Sequence, residues 1–180
     1  MKLHLGCGWR DFGKEWTHID DGDYDHLDHK SHINKLPMIE ENSVDIIYAS
    51  HCIAYFDRDE IEDVLIEWWR VLKPGGVLRL GTPDFEVMVN LYQKGVYNIY
   101  NILGPLYGKM PMDEVTIYHK TTYDYFSLNN LLIDMGFSDV VRWNWRDTEH
   151  SEFDDHSQAY YPHMDKENGT LISLNIECRK

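Results

Sequence analysis

The chain is poor in cysteine, poor in positive charge and without a long apolar run, and each shortage excludes a class of protein. Cys7, Cys52 and Cys178 are odd in number, far apart and contain no Cys-x-x-Cys pair. That suits reduced thiols rather than a disulfide framework. Seventeen basic residues face 31 acidic ones, for a formal charge of -14. Such a field repels phosphate backbones and anionic surfaces, and the Lys and Arg residues are scattered, so neither nucleic acid nor membrane is an expected partner. Apolar stretches fall short of a membrane span, and Met1-Lys2 leads directly into a strand-like run, so the expected location is the cytoplasm. With 180 residues the chain holds one substantial core and is too short for two, which predicts a single domain over 1–180.

A further absence is chemical. Leu3-His4-Leu5-Gly6-Cys7-Gly8 is an apolar strand running into a Gly-x-Gly turn, and Thr17-His18-Ile19-Asp20 ends a second apolar run on a carboxylate twelve residues after Gly8. Glycines leave no Cβ between backbone and ligand, and an acid at the tip of the next strand can accept from both ribose hydroxyls. A dinucleotide fingerprint would add a third glycine two residues on and place its acid roughly 20 residues away. Here Trp9-Arg10 follows Gly8 and Asp20 arrives early, leaving no room for a full phosphate-capping helix. No P-loop Lys-Ser/Thr is present either. A nucleoside cofactor without a pyrophosphate fits, S-adenosylmethionine being the common one. A nicotinamide-dependent oxidoreductase is the rival that this spacing disfavours.

Strand-like runs alternate with helical patterns through the first half, predicting a parallel sheet flanked by helices. Ser43–Ala49 reads as a β-branched strand, and Asp57-Arg58-Asp59-Glu60 has the form of a capping box. Ile61, Val64, Leu65, Trp68 and Leu72 then fall on one helical face, stopped by Lys73-Pro74-Gly75-Gly76. A strand over Val77–Thr82 and a short helix bearing Phe85, Met88, Val89 and Tyr92 on one side follow. The rhythm breaks over about 94–120, a tyrosine-rich stretch of the kind that often carries function. Leu128, Leu131, Leu132 and Met135 restore a helical stripe closed by Gly136. Val140–Trp145 reads as a strand, 146–167 as a polar segment, and Leu171–Cys178 as a closing strand.

Taken in order, Leu3–Gly8, Asp20, Leu36-Pro37-Met38 with Asn42-Ser43-Val44-Asp45-Ile46-Ile47, and Leu72-Lys73-Pro74-Gly75-Gly76 resemble the motifs of class I S-adenosylmethionine-dependent methyltransferases of the type 11 kind. Thr82-Pro83-Asp84 and the ending Ser173–Cys178 further resemble a small branch of predicted methyltransferases linked to sugar and surface-polysaccharide pathways. The resemblance implies an α/β, Rossmann-like, doubly wound seven-stranded sheet in a three-layer α-β-α arrangement, mostly parallel with an antiparallel last strand. It implies that Leu5, Gly6, Cys7 and Gly8 pass the methionine end of the cofactor and that Asp20 with Asp21 holds the ribose. Ile33 and Asn34 would lie by the adenine, where relatives carry an acid, and Ala49 and Ser50 beside the methyl-bearing sulfonium. The product would be S-adenosylhomocysteine. Relatives also commonly carry Glu-His where this chain has Ala54-Tyr55, which keeps open a reading as a cofactor-binding but catalytically silent accessory protein.

The expected acceptor is a small molecule or saccharide, through a hydroxyl of a sugar or glycan precursor. Methyl transfer is an in-line displacement, so alignment matters more than a protein nucleophile. A hydroxyl acceptor would still profit from a base near neutral pKa, for which His51 and His119 are the candidates. Tyr97, Tyr100, Tyr107 and Tyr118 would suit stacking on a sugar ring, and Asp154, Asp155 and His156 could border the acceptor. The run Asp20–His32 contains metal-ligand residue types but reads as a solvated acidic loop, and no metal is expected.

Overall fold

A computed structural model describes residues 1–112 and 115–180. Strands β1 (Lys2–Leu5), β2 (Trp16–Asp20), β3 (His29–Lys30) and β4 (Val44–Ser50) precede helix α1 (Glu60–Val71) and strand β5 (Leu72–Pro83). Then come α2 (Phe85–Gln93), α3 (Ile99–Tyr107), the hairpin β6 (Met110–Met112) and β7 (Val115–Ile117), α4 (Tyr125–Asp134) and β8 (Ser138–Arg142). A two-strand ladder of β9 (Tyr160–Tyr161) and β10 (Thr170–Leu171) leads into β11 (Ser173–Arg179). The main sheet has seven strands in the order β3-β2-β1-β4-β5-β11-β8, with β11 running antiparallel to both its neighbours. This is the expected Rossmann-like topology.

Strand alternation divides the buried residues between two faces. Leu3, Leu5, Ile47, Ala49, Leu78, Leu80, Leu174 and Ile176 face helices α1 and α4, whose Val64, Leu65, Trp68, Leu128 and Leu132 complete an apolar core. The opposite face carries Phe12, Trp16, Ile46 and Tyr48, together with His4, Arg79 and His150. Eleven residues between Gly8 and Asp20 cannot hold a helix as well as two turns, so aromatic stacking covers β1 here instead: His4 on Phe12 at 4.0 Å and Phe12 on His150 at 5.2 Å.

The predicted caps form. Asp57 Oδ1 accepts from the amides of Asp59 and Glu60, and Glu60 Oε2 accepts from Asp57 N. At the end of α4, Phe137 N donates to Leu132 O and Gly136 N to Ile133 O, the Schellman pattern. Several expectations shift. Strand β5 starts at Leu72 rather than Val77, so Leu72 leaves the helical face and Lys73-Pro74-Gly75-Gly76 belongs to the strand, and the closing strand runs 173–179 rather than 171–178. The face of α2 that is buried carries Met88 and Leu91, while Phe85 and Tyr92 are exposed, because the helix packs on Tyr97 and Ile172. Strand β8 spans 138–142 rather than 140–145; beyond it Trp143 N still donates to Asn175 O at 3.1 Å, and its Nε1 donates to Leu80 O at 3.0 Å. The 94–120 stretch contains a capped helix and a hairpin. Ile99, Ile102, Leu103 and Leu106 stand at i, i+3, i+4 and i+7 in α3, a helical spacing masked by Gly104 and Pro105 inside it, and Ile102 packs on the cluster under α2.

Candidate functional site

The carboxyl ends of β1, β2, β4 and β5 open into a cleft of about 870 Å³. In open parallel sheets this is where ligands bind. Its two sides are built differently.

On the β1–β2 side, Gly6 has φ +62 and Gly8 φ +56, so both need the left-handed conformation. A Cβ on Gly6 would lie 2.8 Å from Cys52 Cβ, whereas one on Gly8 would project into open space. Asp20 is buried, and its carboxylate staples this turn: Oδ2 accepts from Gly8 N at 2.8 Å and Oδ1 from Gly22 N at 2.7 Å. A carboxylate has about four acceptor sites, so two remain for a ligand. Helix α1 holds the neighbouring loop. Trp68 Nε1 donates to Ile33 O at 2.8 Å, Leu36 N donates to Glu67 Oε1 at 2.7 Å, and Arg70 reaches the carbonyls of Leu36 and Ile39. The Arg70 guanidinium holds the Glu67 carboxyl below its usual pKa, keeping the clamp ionised.

The opposite side comes from the excursion after α2. Pro105, Met110, Met112, Val115 and Ile117 line it, with Tyr55 and Phe56 from the short turn following β4. Tyr55 Oη donates to Gly108 O at 2.7 Å, so this tyrosine is a strut for the excursion. His119 is a second strut. Its Nδ1 lies 3.0 Å from Pro105 O, a carbonyl that can only accept, and its ring fills the space beneath Gly108, where an added Cβ would overlap it at 2.1 Å. Burial lowers its pKa.

His51 stands between the two sides, with φ +54, its amide donating to Gly81 O at 2.7 Å. Nε2 is 2.9 Å from Ser173 Oγ, and its ring centroid is 5.2 Å from that of His156. Burial pushes the imidazole well below its ordinary pKa, with His156, His119 and Arg10 adding to the effect, so it is neutral at pH 7.

Of the residues expected from the sequence, Gly6, Gly8, Asp20, Asp21, Ile33, Asn34, Ser50, His51 and His119 all line this one cleft. Leu5 and Ala49 do not; they are packed in the core below it. Cys7 is also buried and turned away, its Sγ 3.7 Å from His26 Nε2, and burial with the nearby Asp20 raises the thiol to about 12. Tyr97, Tyr100, Tyr107 and Tyr118 are not among its described lining residues: Tyr97 is buried under α2 and the other three are exposed. His156 lines the cleft, while Asp155 is buried and accepts from Tyr48 Oη, and Asp154 pairs with Lys166. The Asp20–His32 run divides among separate partners, Asp28 with His18 and His32 with Asp21. Trp9, Arg10, Tyr55 and the two methionines were not anticipated. Trp9 alone carried a signal, a large aromatic directly after the glycines.

Comparison with known proteins agrees with the geometry. Residues 3–80 match a family model described as a methyltransferase domain. A search of curated proteins finds no match. Among solved structures, a SAM-dependent methyltransferase from Archaeoglobus fulgidus superposes with a TM-score of 0.60 at 14% identity, covering 99% of this chain and 85% of the other. A SAM-dependent methyltransferase from Mesorhizobium loti gives 0.58 at 17% identity, covering 99% and 90%. The 1,6-didemethyltoxoflavin-N1-methyltransferase of Burkholderia thailandensis, crystallised with 1,6-didemethyltoxoflavin and S-adenosylhomocysteine, gives 0.59 at 13% identity, covering 99% and 70%. At these identities the likeness is one of fold.

Proposed function

We propose that this chain is an S-adenosylmethionine-dependent methyltransferase acting on a small acceptor with an apolar body. The observation that carries the reading is the pairing of a bare, left-handed Gly6–Gly8 turn with a buried Asp20 carboxylate that has acceptor capacity left over. The residues fit the cofactor: a Cβ would project from Gly8, and none is there. Gly6 and Gly8 would pass its methionine end, with Leu5, Cys7 and Ala49 contributing through backbone and packing. Asp20 and Asp21 would hold the ribose, Ile33 and Asn34 would meet the adenine, and Ser50 would lie near the reacting centre.

When bound, S-adenosylmethionine supplies a methyl group on a positively charged sulfur. The chain's task is then to align the acceptor and keep water out. Alignment of this kind is worth about 7–11 kcal/mol by effective molarity, more than one general base adds. The acceptor side supports an apolar body because Met110, Met112, Val115 and Ile117 offer a sugar no strong hydrogen-bonding side chain. A saccharide acceptor, suggested by the narrower sequence resemblance, is the less favoured reading, since the tyrosines that would stack on it lie elsewhere.

Calorimetry with S-adenosylhomocysteine and with a nicotinamide dinucleotide tests the donor: the homocysteine compound should bind and the dinucleotide should not. Incubation with methyl-labelled S-adenosylmethionine and a metabolite extract then tests the acceptor, with labelled products expected among compounds that carry an aromatic or aliphatic body. Binding without transfer, with activity restored by a second protein, would favour the accessory-protein reading. Tighter binding of the dinucleotide would overturn the proposal.

A further inference from the structure

We infer that His51 is the general base of this cleft, acting through Nδ1, and that Ser173 and Asn175 are positioning residues that hold its proton on Nε2. The inference rests on the methyl-transfer reading for its chemistry and on a hydrogen-bond chain for its geometry.

The chain is read from its fixed end. Ser157 O, a backbone carbonyl, can only accept, and it takes a hydrogen bond from Asn175 Nδ2 at 2.9 Å. That orients the Asn175 amide, leaving Oδ1 as the acceptor for the Ser173 hydroxyl at 2.8 Å. The single proton of Ser173 is thereby committed, so Ser173 Oγ can meet His51 Nε2, 2.9 Å away, only as an acceptor. Nε2 must carry a hydrogen, and in the neutral ring the lone pair is on Nδ1. Ser173 and Asn175 are both buried on β11, whose antiparallel pairing sets Ser173 opposite Pro83 and Asn175 opposite Gly81 at the end of β5.

Two further features support a functional role. His51 is a non-glycine residue at φ +54, a conformation that costs energy and collects at functional sites. Gly81 keeps the relay uncrowded: a Cβ there would lie 3.2 Å from Ser50 Oγ, 3.4 Å from Asn175 Oδ1 and 3.6 Å from His51 Cδ2. That contact places the Cδ2 edge of the ring against Gly81 and the Nδ1 edge on the opposite side. His156, His119 and Arg10 are the ionisable groups that act on His51, and all three line the same cleft.

His119 does not serve equally. Its Nδ1 is spent on Pro105 O and its Nε2 edge is packed under Gly108. In the step itself, the acceptor's O–H or N–H proton passes to Nδ1 of His51 while the acceptor atom's electron pair forms the bond to the methyl carbon. The carbon–sulfur pair stays on sulfur, so the positive charge lost there reappears on the imidazolium, which returns its proton to water. Such a base suits a weakly acidic group, a phenolic or enolic O–H or a heteroaromatic N–H, on the apolar body already argued.

Long-range proton–nitrogen correlation spectra of histidine-labelled protein at neutral pH test the tautomer directly, with His51 assigned by its loss in His51→Gln. The expected pattern is a protonated Nε2 and a bare Nδ1. In Ser173→Ala the pattern should shift toward the other tautomer or a mixture, while S-adenosylhomocysteine affinity stays within about twofold, because neither residue lines the donor side. Transfer to a panel of phenols and heteroaromatic N–H compounds should fall roughly 100-fold in kcat with little change in KM, and Ser173→Thr should recover part of it. A protonated Nδ1 in the unmodified protein, or an unmoved pattern in Ser173→Ala, overturns the inference; the first outcome does not depend on how Ser173→Ala folds. Failure of S-adenosylhomocysteine to bind the unmodified protein would instead sink the methyltransferase reading and leave the tautomer result standing.

Discussion

The two sides of the cleft are made by different means. The donor side consists of strand ends and their first turns, stapled by one buried carboxylate and braced by α1 through Trp68, Glu67 and Arg70. The acceptor side is an excursion whose helix α3 buries none of its residues and which is tied back by Tyr55 and His119. A side built into the sheet cannot change shape without disturbing the core, whereas an appended one can vary at little cost to the fold. This is the arrangement expected where one cofactor must be served by a rigid seat and the acceptor by a replaceable wall.

Matched lesions should separate the two sides. Gly6→Val has the largest expected effect: a β-branched side chain at φ +62 with its Cβ 2.8 Å from Cys52 should cost about 3 kcal/mol or more and abolish S-adenosylhomocysteine binding, read by thermal unfolding and calorimetry. Gly108→Ala, the equivalent lesion opposite, should displace His119 and impair the acceptor while leaving S-adenosylhomocysteine affinity within about twofold. Equal loss of affinity in both would erase the distinction.

Acid should also act unevenly. Burial holds His150, and with it His4, below the ordinary histidine pKa, His150 at about 4. The unfolded chain therefore takes up protons first. Stability present above the unfolded value of 6.5 is lost as pH falls toward 4, by about 2–3 kcal/mol for His150 if its shift is fully realised. Two such rings pack at β1, whereas of the two struts of the excursion His119 alone has a lowered pKa, so hydrogen exchange should rise further at the Gly6–Gly8 turn than around the β6–β7 hairpin. His150→Phe should flatten the pH dependence.

Asp20→Asn should weaken S-adenosylhomocysteine by about 1–3 kcal/mol, since an amide can offer only one acceptor oxygen to two backbone amides and a ligand. An unchanged calorimetric affinity would remove Asp20 from the site. The smallest effect belongs to Met112→Ala, which should raise the KM of an apolar acceptor about fivefold, near 1 kcal/mol, without touching donor affinity. If it lowers the KM for a saccharide instead, the saccharide reading gains.

Legibility in the sequence follows the same division. The donor side could be read because its signals are local: glycines where the backbone turns left-handed, an acid at a strand tip, a capping box realised between Asp57 and Glu60, and a helix stripe that packs as its spacing requires. Even the missing helix after Gly8 could be counted in advance. On the acceptor side, the Ile99, Ile102, Leu103, Leu106 spacing of α3 was masked by Gly104 and Pro105, residues that ordinarily break a helix. Its tyrosines invited a sugar-stacking reading that their placement does not support. His51 at a strand end and His119 in a loop were both candidates for the base, and only their partners, Ser173 and Pro105, set them apart.

By itself the amino-acid order determined the alternation of strands and helices, the left-handed Gly6–Gly8 turn and the acid at the tip of the next strand, because each of these signals lies within a few residues. Only the folded molecule decided which imidazole keeps a free lone pair and what chemistry lines the acceptor wall. Those depend on Ser173 and Asn175, more than 120 residues after His51 and carried by the antiparallel strand of the main sheet, and on side chains of an excursion that follows α2.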